Sequence, residues 1–164
     1  MVDGIILFFL FVMFITGFSR GTLRQLWSLV VLALATYLSG NLYPSVTDLV
    51  RASIPDSTGA NVVSFVLIFG VVSAVLNVGA DFVTRLRRER GEKKLGFFDR
   101  SLGSILGVIE AIGFVEVAAA VLIAFPVLGL DGWVATSNLL GAFFNIMPVV
   151  PLLPATFQRI LLLY

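Results

Sequence analysis

The chain has 164 residues, 59% of them apolar and 13% charged, with a formal net charge of +1. Soluble domains carry roughly 25% charged residues to cover their surfaces, so with a mean hydropathy of +1.04 the composition describes a single integral membrane domain. The sequence holds no cysteine and no histidine. That excludes disulfides, iron–sulfur clusters, thiolate and imidazole metal sites, His-ligated haem and a Ser-His-Asp triad, so neither a metal nor a cofactor is expected.

Uncharged runs mark the spans. The first is Gly4–Ser19, behind Asp3; a bilayer core of about 30 Å needs roughly 20 helical residues, which sets Val2 and Asp3 at the interface. A cleaved signal peptide would want a basic start and a small-residue cleavage site. This segment begins with Asp3 and ends in Gly17-Phe18-Ser19-Arg20, so it is read as a retained helix. The second run, Gln25–Thr47, predicts a helix stopped near Tyr43-Pro44, where proline removes a donor. The third, Ser57–Ala80, predicts a helix from about Asn61 to Phe82, and the fourth runs from Ser101 to Phe125-Pro126, interrupted by Glu110 and Glu116.

Past Pro126 the pattern changes. Pro148, Pro151 and Pro154 break the uncharged stretch Gly132–Gln158, so Gly132–Ile146 is read as a short interfacial or re-entrant helix. Trp133, Leu140, Phe143 and Phe144 form its apolar side, and Ser137, Asn138 and Asn145 its wetter one; the last stretch, Ala155–Tyr164, is too short to cross. The fold expected is therefore an all-α integral membrane protein with four transmembrane helices and a C-terminal interfacial or re-entrant segment. Its bundle covers residues 1–125 with spans at about 2–19, 25–43, 61–83 and 101–125, a basic connector covers 84–100, and an external or interfacial segment covers 126–164.

Lys and Arg give the direction. Arg20 and Arg24 lie between spans one and two; Arg85, Arg87, Arg88, Arg90, Lys93, Lys94 and Arg100 lie between spans three and four, making nine of the eleven basic residues. Only Arg51 and Arg159 fall on the other side. The positive-inside rule then places both basic connectors in the cytoplasm and the N-terminus and C-terminal segment outside.

The interior of the spans is not wholly apolar. Gly103 and Gly107 form G-x-x-x-G, a spacing that lets two helix backbones approach closely. Glu110 points within about 20° of Gly103 on a helix, and Gly113 follows on the same side, so the acid is expected on a packed face near mid-bilayer. An ionised carboxylate there costs several kcal/mol, so it is expected protonated or paired. Gly70, Ser73, Asn77 and Asp81 recur at spacings of three and four on span three, and Asn77 is the expected partner of Glu110, with Asp81 in reach of Arg85, Arg20 or Arg24. Glu116, on another side and nearer the outside, is expected to snorkel. One reading of Glu110 is a proton or ion relay; the other is a structural hydrogen-bonding group in a bundle or oligomer contact. The loop cations Arg85, Arg87, Arg88, Arg90, Lys93 and Lys94 either contact lipid headgroups, diluted by Glu89 and Glu92, or only set topology. No aromatic residue interleaves with them, and nucleic acid is not an expected partner.

Asp3 opens the first span, Gly17-Phe18-Ser19-Arg20-Gly21 closes it, and Asp99-Arg100-Ser101-Leu102-Gly103-Ser104-Ile105-Leu106-Gly107 opens the fourth. In this order, with four spans and a basic connector, the sequence resembles the bacterial colicin V production protein family, CvpA, over about residues 1–145. The resemblance implies a bacterial inner-membrane protein tied to colicin V production or export and to cell-envelope maintenance, with no established catalytic chemistry. In some family members a similar module anchors a periplasmic serine protease; the sequence given stops at Tyr164, and that activity is not expected of it. Ser137 is matched loosely to a serine often seen in the external segment. Arg20 and Arg100 are placed to bind phosphates or cap carbonyls and Asp99 to N-cap the fourth helix. Gly17 and Gly21 would allow a tight turn that sets helices one and two side by side.

Three functions follow as expectations. The first is a non-enzymatic membrane protein that packs with lipids, with itself or with a larger complex through Ser73, Asn77, Gly103, Gly107, Glu110 and Gly113. The second is a small proton- or solute-coupled transporter or channel component using Glu110, with Asn77 and Asp81 on its path. An enzyme built on Ser137 ranks last, because Lys93 and Lys94, the nearest candidate bases in kind, would lie across the membrane from it.

Overall fold

The computed structural model describes residues 2–89, 96–126, 132 and 136–146, with side chains for 2–79, 96–126, 132 and 136–145. Among them are five helices and no strand: α1 (Val2–Arg20), α2 (Thr22–Arg51), α3 (Ser57–Glu89), α4 (Phe97–Ala124) and α5 (Asn138–Ile146). The first four contain segments long and apolar enough to cross a membrane.

The helices outrun the expected spans. α2 does not stop at Tyr43; it continues through Pro44 to Arg51. A helix that ends within a bilayer leaves carbonyls that no water can meet, so losing one bond at a proline costs less than stopping. Thr47 donates its hydroxyl back to the Tyr43 carbonyl at 2.8 Å in this stretch. α3 begins at Ser57 rather than Asn61 because Asp56 caps it: its carboxylate accepts from the amides of Thr58 at 3.3 Å and Gly59 at 2.7 Å. The other end of α3 extends to Glu89, so the connector expected over 84–100 is helical at its start. α4 begins at Phe97, and α5 takes up Asn138–Ile146 of the stretch expected to form one helix from Gly132.

Asp99 does not cap α4. The N-cap is Gly96, and Asp99 lies inside the first turn. Nor do α1 and α2 lie side by side along their length: α1 packs chiefly on α4, and α2 on α3 and α4. Gly21 links α1 to α2 with φ 78°, a left-handed conformation open to glycine. The chain turns there without a pairing of the two helices because the face of α1 that carries Gly17 is taken by α4.

That contact is backbone on backbone. A Cβ on Gly103 would stand 2.5 Å from the Gly17 carbonyl oxygen and 3.0 Å from Gly21 Cα; on Gly107 it would stand 2.5 Å from the Met13 carbonyl oxygen. The G-x-x-x-G face is thus filled within the chain by Met13, Gly17 and Gly21.

Two apolar clusters close the bundle beyond this seam. Phe65 of α3 packs with Val117, Ala120 and Val121 of α4, edged by Tyr43 and Phe125. Ile6 of α1 packs with Ala119 and Ile123 of α4 and with Leu140 and Phe143 of α5. The last helix therefore lies on the ends of α1 and α4, held by the apolar side read from its sequence. Trp133, assigned to that side, lies outside the described residues. Outward-facing positions such as Ile5, Phe8, Phe11, Val71, Val75 and Val78 are exposed, as surfaces in contact with acyl chains would be.

Candidate functional site

A row of buried polar side chains runs along α2, and others stand on α3 and α4. On α2 Gln25, Thr36, Ser39 and Thr47 are buried, Gln25, Thr36 and Ser39 with no accessible surface at all. Their spacings of eleven, three and eight residues keep them on one side of a helix. That side faces α4, which runs in the same direction. Thr22 meets Asp99, Ser28 meets Glu110, and Tyr43 meets Phe125 edge-on with ring centroids 5.6 Å apart. The last two contacts have the same stagger, so the two helices keep one register over four turns.

Glu110 sits halfway along α4 and is held by two donors from α2. Gln25 Nε2 donates to its Oε2 and Ser28 Oγ to its Oε1. Both carboxylate oxygens are therefore satisfied from a single neighbouring helix. The Gln25 amide oxygen, in the same buried position, has no hydrogen-bond partner among the described residues, and neither have the hydroxyls of Thr36 and Ser39.

The expected partner, Asn77, is elsewhere. It is exposed on α3, and its Nδ2 donates to the Ser73 carbonyl at 2.8 Å. Gly70 is exposed as well, with nothing near enough to touch a Cβ. The stripe Gly70–Ser73–Asn77 therefore turns away from Glu110; among the described residues α3 meets α4 through its first half, at Phe65 and Phe69. Glu116 does not snorkel: it is 1% exposed, buried inside the bundle. Gly113 is buried on α4. The side chains of Asp81, Arg85, Arg87 and Arg88, and residues Arg90, Lys93 and Lys94 altogether, lie outside the described residues.

Each end of the bundle carries one polar clasp. At the first, the Thr22 amide donates to Asp99 Oδ1 at 3.2 Å and the Thr22 hydroxyl to the Asp99 carbonyl at 2.8 Å. Asp99 thus serves the N-terminus of α2, where backbone donors lack partners and the helix dipole favours an anion. Arg100 next to it holds its guanidinium 5.9 Å from the centre of the Phe18 ring, a cation–π distance, while Arg20 is exposed in the last turn of α1.

At the other end Ser137 donates its hydroxyl to Asp3 Oδ1 and accepts from the Leu140 amide at 3.3 Å. Expected on the wet side, Ser137 is buried instead. Its hydroxyl caps α5 and ties that helix to the start of α1.

Asp3, Asp99, Ser137 and Glu110 are among the residues singled out from the sequence; Thr22, Gln25 and Ser28 are not. The signal for the last two was present: two hydrogen-bonding side chains three residues apart at the head of an apolar run, one turn face of a helix.

The family model described as Colicin V production protein matches residues 2–148. No curated protein and no solved structure matches the chain. The matched stretch begins at the helix that carries Asp3 and ends just past the helix capped by Ser137, taking in both clasps, the glycine seam and Glu110, and the chain belongs to the colicin V production protein family.

Proposed function

We propose that this chain is a non-enzymatic subunit of the bacterial inner membrane that serves colicin V production or export and envelope maintenance by associating with other membrane helices. The observation that carries this reading is the face of α3. Gly70 and Asn77, seven residues apart on one side of the helix, are exposed there, with open space at the glycine, although the Ser57–Gly79 stretch contains an 18-residue run of mean hydropathy 2.4. An amide and a bare backbone position gain little from acyl chains and fit a close helix neighbour, whose polar contacts are worth about 0.6–2 kcal/mol each. The glycines of α4 are already covered by α1, so association would run through α3 and not through Gly103 and Gly107.

The test is native mass spectrometry of the protein extracted gently from its own membrane. Gly70→Leu and Asn77→Leu should dissolve a defined homo-oligomer or heteromer while the monomer stays folded. A wild-type protein that is monomeric under those conditions overturns the reading. In the proposed orientation the Gly21–Asp99 end is cytoplasmic and the Asp3–Ser137 end external, supported by the placement of nine of eleven basic residues.

A further inference from the structure

Glu110, Gln25 and Ser28 bring together two carboxylate oxygens, a carboxamide and a hydroxyl within the membrane-spanning part of the bundle. With the carboxylate ionised, Gln25 and Ser28 both donate to it, and the Gln25 amide oxygen is left buried without a partner. Turning that amide by half a revolution exchanges its nitrogen and oxygen, so that Oε1 faces the carboxylate. Two oxygens can face each other there only with a positive species between them, either the proton of a neutral Glu110 or a small cation that both oxygens coordinate. Four side-chain oxygens from two helices suit a hard monovalent ion, which takes oxygen donors and whose single charge one carboxylate neutralises.

We propose that Glu110, Gln25 and Ser28 form a binding site for one monovalent cation, a proton or a sodium ion, at the α2–α4 interface. The surroundings favour a single charge. Among the described residues, the cation acting on Glu110 is Arg20, at the end of α1. Arg24 on α2 is exposed. Residues 57–79 of α3 carry no charged side chain. On α4 the other acids are Glu116, buried six residues further on, about 9 Å by helix rise, and Asp99, eleven residues back in the first turn, about 16 Å by helix rise, both too far to share the same ion. Ion binding here does not depend on α3 association, so either proposal can fail without the other.

Carbodiimide modification tests the site on the full-length protein in detergent or nanodiscs. The reagent adds to a protonated carboxyl in an apolar setting, and the adduct is located by peptide mass spectrometry, which separates Glu110 from Glu116. Labelling of Glu110 that falls at least tenfold on adding NaCl at fixed pH, but not on adding choline chloride, identifies sodium as the ligand. Labelling that falls at least tenfold with rising pH and ignores NaCl identifies the proton. Gln25→Leu, which removes the amide oxygen, should abolish sodium protection while keeping the label. Ser28→Ala, a smaller change, should weaken the protection several-fold. Absence of label at Glu110 across the pH range in folded protein, or labelling indifferent to both pH and sodium, overturns the proposal.

Discussion

Thr22 holds Asp99 by two hydrogen bonds, donating from its amide to the Asp99 carboxylate and from its hydroxyl to the Asp99 backbone carbonyl. The pair joins the first turn of α2 to the first turn of α4, two helices with parallel dipoles whose N-termini lie together. An acid at that place offsets two like partial charges at once. It also closes the Gly21 link, since Gly21 touches Gly103 on the same turn of α4.

Replacing Asp99 with Ala should lower stability by about 1 kcal/mol, the ordinary worth of a helix-capping acceptor. Asn at the same place retains an acceptor oxygen and should cost less. Thr22→Val removes only the hydroxyl bond. Thermal unfolding of the three single variants and of the Thr22→Val/Asp99→Ala double variant should show a double loss smaller than the sum, since both single changes cut the same clasp.

Alanine scanning of glycines should divide them sharply. At Gly17, Gly103 and Gly107 an added Cβ meets backbone atoms of the facing helix, which cannot rotate away, and overpacking of this kind costs about 1–3 kcal/mol. At Gly70 and Gly79 nothing lies within 4 Å, so alanine there should leave the monomer unchanged or more stable by up to about 1 kcal/mol from helix propensity. Melting temperatures in one detergent measure both groups. Equal effects at Gly103 and Gly70 would contradict the α1–α4 contact.

The bond between Ser137 and Asp3 should govern the docking of α5. Ser137→Ala removes a cap and a tie in one step, leaving Leu140 and Phe143 to hold the helix by apolar contact with Ile6, Ala119 and Ile123. Hydrogen exchange over 138–146 should rise by an order of magnitude or more, the effect of losing about 1–2 kcal/mol of local protection. The four long helices should exchange as before.

How much of this was readable in advance depends on the kind of interaction. Hydropathy located all four long helices, because a bilayer demands continuous apolar runs and little else does. It misplaced their ends: Pro44 reads as a stop in water but is carried inside α2, and Asp56 rather than a hydropathy boundary fixes the start of α3. Helical periodicity put Glu110 on the packed face with Gly103 and Gly107. It cannot say which helix lies opposite, so the sequence points to Asn77 where the partners found are Gln25 and Ser28. Both stripes are polar at helical spacing, and only the pairing of α2 with α4 separates them. The same ambiguity hid the role of Asp99, which sits one turn inside its own helix but beside the bare N-terminus of another.

Orientation can be measured directly because the chain has no cysteine of its own. Phe98, 84% exposed beside the Asp99 clasp, and Asp48 and Asn138, both exposed toward the other end, are suited to single replacement by Cys. Basic residues resist translocation and collect on the cytoplasmic face, and in the orientation proposed above the Phe98 end is inside. A membrane-impermeant maleimide should therefore label Asp48→Cys and Asn138→Cys in intact spheroplasts and Phe98→Cys only after lysis. The reverse pattern would invert the bundle, placing the clustered arginines outside against the rule. Labelling of Asp48→Cys without Asn138→Cys would put α5 on the opposite side from the Asp3 end, which its packing on Ile6 and Ile123 forbids.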